Sequence, residues 1–472
     1  MDTQCKGMPA LAPAATTANA AGGASLTLLT LAVGFVMAMI DVTAVNTALS
    51  DIARDLAVPL SGLVWVVDGY TLTFAALLLA GGALGDRFGA KQAYLGGLTV
   101  FLLGSVLCAL APGGGALTGA RLLQGAGAAL FLPSSLSLLT HAFDDDRVRA
   151  RMVGTWSAMV ATASALGPLV GGMLVHAYGW RAVFWVNVPV GLLGIALAYT
   201  LIPAVPAQPR PWSLFSHGLG VVALAAFSFV LIEGPARGWM SLPVLAALAG
   251  TVLSGTVLVR RERRIAHPML PRALFKTGSF AAANGTGFMI NFAVFGQLFL
   301  LSLYLQQAGG ADALHTGWRL MPMMAAFTVA NFASGRISAR VGMRLPLLGG
   351  LSVGAAMAVL LMVAAPSLPF GAVLGIVVVM NLGIGVAVPA MTATVMQVAG
   401  KAHANSAAAA LNANRQVGAL VGVALMGSIL HALPSWDARL ALGFCAIAAA
   451  YAGAWLMVFR FVHLPQLQAE QT

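Results

Sequence analysis

A chain of 472 residues in which 59% are hydrophobic and only 8% are charged, with a mean hydropathy of +0.89, cannot cover a water-facing surface with polar groups. A soluble globular protein is therefore excluded. The formal net charge of +11 reports how the chain sits in a membrane and gives it affinity for anionic headgroups, while no soluble basic domain exists to carry nucleic-acid binding.

Residues 1–25 are rich in Ala, Thr and Pro and lack a basic region followed by an apolar core and a cleavage site. They read as a disordered tail, not a signal peptide. Apolar stretches of roughly twenty residues, each long enough to cross about 30 Å of hydrocarbon, then begin near Leu26, Ser61, Gln92, Leu117, Met152, Ala182 and Leu214. Seven more begin near Ser241, Phe280, His315, Leu345, Leu368, Ala407 and Leu440, for fourteen in all. Alternating hydrophobicity is absent and Ala, Leu, Gly and Val dominate, so helices satisfy the backbone in lipid. The three cysteines, Cys5, Cys108 and Cys445, lie far apart and form neither a disulfide framework nor a metal motif.

With a cytoplasmic N-terminus, eighteen of the 25 basic residues fall on cytoplasmic segments. Five (Arg54, Arg181, Arg237, Arg319 and Arg439) face the other side, and Arg121 and Arg415 lie within helices. That split is a strong positive-inside signal and puts both termini in the cytoplasm.

The chain also repeats itself. Seven of seventeen positions are identical between Gly82–Leu98 and Gly335–Leu351, 253 residues on, and Lys91 is matched by Arg344. Ala165–Leu174 echoes Gln416–Leu425 at nearly the same offset. The first six helices map onto the last six, so the expected organisation is a six-helix bundle over 26–205, two inserted helices over 206–262, a second bundle over 263–464 and a short cytoplasmic tail over 465–472. Two homologous bundles suit alternating access around a central site.

Several motifs carry a family resemblance. Gly82-x-Leu84-x-Asp86-Arg87-x-Gly89-x-Lys91 resembles the loop signature of the major facilitator superfamily, and Arg121-x-x-Gln124-Gly125-x-Gly127 resembles its fourth-helix motif. Gly154 with Gly167-Pro168-x-x-Gly171-Gly172 is similar to the fifth-helix motif of its exporters, and Asp41-x-Thr43-x-x-Asn46-x-Ala48-Leu49 to the first-helix motif of fourteen-helix drug:proton antiporters. Ser50 stands where that motif usually has Pro, and Ala90 replaces one basic residue of the loop signature. The resemblance covers essentially the whole chain and points to multidrug and methylenomycin-type resistance exporters. It implies an all-α integral membrane protein of major facilitator fold, with two pseudo-symmetric six-helix bundles and two additional central helices. It also implies a bacterial inner-membrane protein, monomeric, drawing on a proton gradient without a cofactor.

Intramembrane charges are expensive, so they point to the chemistry. Asp41, Asp68 and Arg121 stand out in the first half. Counting about 1.5 Å per residue puts them roughly 4 to 5, 6 and 10 Å from the membrane centre on the outer side, close enough for one polar cluster. A carboxylate in a closed apolar cavity tends to neutrality, whereas a nearby Arg or water favours the anion. Asp41 is expected to carry the proton, Asp68 to carry a second proton or recognise a cation, and Arg121 to tune both; a purely structural ion pair is the alternative. The resemblance implies that Gly82, Gly85, Asp86, Arg87, Gly89 and Lys91 form a cytoplasmic gate loop, with Gly85 and Gly89 allowing its tight turn, although the basic residues also set topology. Gly167 and Gly171, like Pro168 and Gly172, lie four apart and form small-residue faces that admit a close helix neighbour, with Gly154 in the same motif. Asn46, Gln124, Asn291, Asn381 and Arg415 are candidates for the substrate cavity, and Met-rich walls would adapt to varied apolar ligands.

The expected activity is proton-coupled export of hydrophobic or cationic drugs. The partners are then a small amphipathic substrate, protons and the bilayer, with no nucleic acid. Uptake of a nutrient by the same fold is the alternative. A membrane-embedded enzyme is disfavoured because the eight histidines form no local HxxxH or HExxH site and no GxxxxGK[ST] stretch exists.

Overall fold

The computed structural model describes residues 15–143, 145–204, 213–265, 268–276 and 278–462, and among these it contains helices and no strands. Helix α1 runs over Ala15–Ala44, passes through a 3₁₀ turn at Val45–Ala48 and finishes as Leu49–Asp55. It is followed by α2 (Leu60–Phe88), α3 (Ala90–Ala109), α4 (Gly114–His141), α5 (Asp146–Tyr178) and α6 (Ala182–Leu201). Two further helices are α7 (Leu214–Arg237) and α8 (Leu242–Glu262). The last six are α9 (Gly278–Ala308), α10 (Ala313–Val341), α11 (Arg344–Ala364), α12 (Phe370–Gly400), α13 (Ser406–Ala432) and α14 (Trp436–Phe461).

Thirteen of these are long and apolar enough to cross a membrane. The fourteenth expected span is α10, whose 29 residues are made less apolar by His315, Arg319, Asn331, Arg336 and Arg340. Packing against α5 and α12 covers part of it, and Ser334 donates its hydroxyl to the Val386 carbonyl across the α10–α12 contact (2.6 Å). A helix sheltered by neighbours needs less hydrophobicity than one facing lipid on all sides.

Two expectations are corrected. Helix α1 begins at Ala15, so residues 15–25, expected in the tail, extend the first helix; alanine is the strongest helix former. The remaining tail residues, 1–14 and 465–472, the last two residues of the expected second bundle and the expected boundary at 205/206 lie outside the described residues. Gly85 lies inside α2 and is not a turn residue: a Cβ there would meet the Ser134 Oγ of α4 at 3.1 Å. The reversal between α2 and α3 falls on Gly89 alone, at φ +96, and its repeat partner Gly342 makes the same reversal between α10 and α11 at φ +77. Left-handed backbone of this kind is open to glycine at little cost.

The repeat is also visible in how its basic residues are used. Lys91 donates its ammonium to the Tyr199 carbonyl near the end of α6 (2.9 Å), and Arg344 donates to the Phe459 carbonyl near the end of α14 (3.0 Å). Each therefore answers an orphan carbonyl at the C-terminus of the sixth helix in its own half. Lys91 of the expected gate loop thus reaches α6 of its own half. Arg87 is exposed and lies 5.7 Å from the Phe88 ring. The end of the bundle holding Arg87, Lys91 and Arg344 is the basic end below; the opposite one, with Arg54, Arg181 and Asp312, is the far end.

Candidate functional site

Three polar positions on α1 and α4 converge in the first half. The Asp41 carboxylate is ion-paired with the Arg121 guanidinium, and both side chains are buried. Arg121 also donates Nε to the Val66 carbonyl of α2 (3.0 Å) and Nη1 to Gln124 Oε1 (2.8 Å), while its guanidinium carbon lies 4.8 Å from the Tyr70 ring centroid. The other Asp41 oxygen, Oδ1, accepts from Asn187 Nδ2 of α6 (3.0 Å) and more weakly from Gln124 Nε2 (3.3 Å). Ser105 and Cys108 of α3 complete the network through Gln124, at 2.8 and 3.3 Å. A buried ion pair is tolerable only where such additional hydrogen bonds satisfy it.

This geometry sorts the candidates. Asp41 and Arg121 meet, as their depths allowed. Gln124 has both ends of its amide engaged, so it supports the pair and does not line a substrate wall. Asn187, Ser105 and Cys108 were missed, although Asn187 is the only carboxamide in α6, a signal that could have found it. Asp68 does not join the cluster. Arg121 lies along the α2 face of Val66 and Gly69, whereas Asp68 shares its face with Val64, four residues earlier, which packs on Gly427 of α13. The Asp68 side chain is fully buried there, at the seam between the two halves, and neither oxygen has a hydrogen-bond partner among the described residues.

The glycines of α5 divide between two neighbours. Cβ atoms at Gly167 and Gly171 would collide with Thr43 and Ala44 of α1, within the same half. One at Gly172 would fall 2.5 Å from the Ala313 carbonyl of α10, and one at Gly317 of α10 would fall 2.4 Å from the Pro168 carbonyl, so the second face presses backbone on backbone across the seam. Gly154 and Gly82 have open space around them and set no close contact.

The seam is further tied at the far end. The 3₁₀ turn in α1 parts the Asn46 carbonyl from the Ser50 N–H, and the Gln306 carboxamide of α9 inserts between them. Its Nε2 donates to the Asn46 carbonyl (3.0 Å) and its Oε1 accepts from Ser50 N (3.0 Å). Asn46 itself donates its side chain back to the Val42 carbonyl (3.2 Å). It enters the interface through its backbone, not as a cavity-lining amide. Nearby, Asp312 caps α10 by accepting from the His315 N–H (2.7 Å) and stands 3.9 Å from His176 of α5. That backbone bond, with help from the His315 ring and the two histidines' charge, holds the Asp312 carboxyl below its ordinary value.

On the second half, Asn291 and Asn381 are buried and donate to carbonyls of their own helices, at Gly287 and Val377 (2.9 Å each). Arg415 of α13 is half-buried. Among the described residues no group of three or more His, Cys, Asp or Glu side chains could hold a metal.

Two opposed helical bundles with a buried charge network in one of them define a membrane transporter, not an enzyme. The chain belongs to the Major Facilitator Superfamily, whose sequence model matches residues 31–423. It is 47% identical over 436 residues to the methylenomycin A resistance protein of Bacillus subtilis (strain 168), covering 92% of this chain and 94% of that one. The methylenomycin A resistance protein of Streptomyces coelicolor is 46% identical over 94% of this chain and 93% of its own. The multidrug resistance protein Stp of Mycobacterium tuberculosis is 34% identical, over 86% and 76%. Among solved structures, the peptide transporter POT in complex with sulfate superposes with a TM-score of 0.69 over 92% of this chain and 94% of that one; at 14% identity it shares the fold alone.

Proposed function

We propose that the protein is a proton-driven antiporter that exports a small amphipathic drug or antibiotic across a bacterial inner membrane, working as a monomer with the basic end and both termini in the cytoplasm. The observation that carries the coupling is the buried Asp41–Arg121 pair with its Gln124 and Asn187 donors. The names of the relatives, resistance proteins for antibiotics and multiple drugs, support the export direction.

In this reading the far end is closed, and the Asp41 carboxyl is bound by Arg121, Gln124 and Asn187. When the halves rock, water from the far side reaches the pair and a proton on Asp41 breaks it. Arg121 keeps its bonds to Val66 and Gln124 meanwhile, so its charge stays solvated by the protein. Asp68 serves as the second proton site, because its place on the seam makes it dry when the far end is shut and wet when it opens. Each charge crossing 100 mV supplies about 2.3 kcal/mol.

The test uses everted vesicles and a pH-sensitive dye. Adding an exported drug should release protons from the energised lumen in the wild type and not in Asp41→Asn. Unimpaired drug-driven proton movement in Asp41→Asn removes that residue from the mechanism. Proton movement of the opposite sign identifies an importer.

A further inference from the structure

Arg415 is the tenth residue of α13 counted from Ser406, toward the basic end. Its stem runs beside Gly287 of α9, where an added Cβ would lie 3.3 Å from Arg415 Cγ, 3.2 Å from Met391 Sδ and 2.7 Å from Leu411 Cδ1. Glycine at 287 thus opens the lane that the arginine occupies. Among the described residues the guanidinium makes no hydrogen bond and no ion pair.

Among the described residues no carboxylate pairs with it. Between Arg263 and Pro465 the only acidic residues are Asp312 and Asp437. Both sit at the far end, one capping α10 and one in the first turn of α14. Arg415 is seventeen residues, roughly 25 Å at helical rise, from the far end of α13 at Ala432. In the first half, Asp41 is already paired. The Val64–Gly427 contact sets the register of α2 against α13. That register puts Asp68 about eight residues, roughly 12 Å, nearer the far end than Arg415. An intramembrane arginine is costly and is retained where something answers its charge, and its planar fork suits a carboxylate held by two parallel bonds.

We propose that Arg415 is the counter-charge for an acidic group on the transported molecule, so that the substrates include amphipathic carboxylates. This rests on the export reading above, and it names the chemistry of the cargo. The location is consistent with loading: the far end is closed, and Arg415 lies on the basic side of the membrane centre, where an exported acid enters.

The experiment is equilibrium binding to the purified full-length protein in nanodiscs, with no gradient, so a failure of proton coupling leaves its result standing. The probes are 4-phenylbutyrate, octanoate, the methyl ester of each, and tetraphenylphosphonium. In the wild type, at least one acid should bind more tightly than its ester. Arg415→Gln should weaken that acid about tenfold or more while leaving the ester unchanged, and Arg415→Lys should retain part of the acid preference. The proposal is overturned if neither acid is preferred to its ester, or if Arg415→Gln binds the acid like the wild type. It is equally overturned if all five probes weaken together, which would make Arg415 a packing residue. Finally, it fails if Arg415→Gln abolishes only a stabilisation by phosphatidylglycerol discs over neutral ones, because the charge is then answered by lipid.

Discussion

Gly172→Ala isolates the seam between α5 and α10. The new Cβ would lie 2.5 Å from the Ala313 carbonyl oxygen, 0.9 Å inside an ordinary 3.4 Å contact, with the Ala313 carbon and Leu314 Cα at 3.1 Å behind it. All three neighbours are backbone atoms of a packed helix, so no side chain can swing aside. Overpacking of this kind costs about 1 to 3 kcal/mol. The strain exists only while the halves are pressed together at the far end, so it is relieved by opening. The closed population should fall relative to the open one by about fivefold to 150-fold. Spin labels at the exposed Arg54 of α1 and Asp437 of α14 report the far-end separation in pulsed electron resonance, and the variant should shift weight to the longer distance. Gly171→Ala is the control. Its Cβ would press on Ala44 of the same half, at 2.7 Å, and that strain persists in both states. It should lower the melting temperature without moving the distance distribution. An unchanged distribution in Gly172→Ala, or an equal shift in Gly171→Ala, refutes the division of labour between the two glycine faces.

Ser50→Pro removes the N–H that Gln306 accepts without removing a bond internal to α1, since the 3₁₀ turn has already broken it; at about 0.5 to 1.5 kcal/mol per hydrogen bond the same label pair should show a two- to tenfold shift toward opening. Asp86→Ala should lower drug export severalfold in a susceptibility assay while surface expression persists; loss of membrane insertion instead would assign the loop to topology alone. Asp312→Ala should cost about 1 kcal/mol as a lost helix cap, read as a fall in melting temperature. Because the folded Asp312 carboxyl sits below its ordinary value, its contribution is complete above about pH 4 and fades only as pH drops through the lowered folded value. The wild-type and variant melting curves should therefore converge only in strong acid.

The helices were legible because lipid imposes a length and a composition on every one of them, and the least apolar, α10, was still found as a stretch beginning near His315. The Asp41–Arg121 pair was legible because both residues are costly in a membrane and the long Arg121 side chain spans their difference in depth. Asp68 was misplaced because depth is counted along a helix axis, whereas partnership depends on azimuth, and two residues of α2 separate the face that meets Arg121 from the face that meets α13. Gln306 was invisible for a different reason: it binds backbone groups freed by a 3₁₀ turn, and no side-chain pattern announces such a break. Gly85 shows the converse error, in which a residue suited to turns was used for helix packing.

The placement of α7 makes the two flanks of the transporter unequal. Its far-end half is joined to the first bundle through Trp65 Nε1 donating to Glu233 Oε1 (2.9 Å), and to the second through Ser428 donating to the Leu231 carbonyl (3.0 Å). It therefore lies over the α2–α13 seam, while α5 and α10 form the other flank without it. A molecule dissolved in the far leaflet meets, on one flank, a third helix bridging the joint and, on the other, glycine faces too tight for any guest. Both flanks of the seam are thus covered at that depth, by α7 on one side and by backbone-on-backbone packing on the other. The inserted α7 makes a symmetric duplicate asymmetric: one flank of the joint is bridged by a third helix, the other by glycine faces alone.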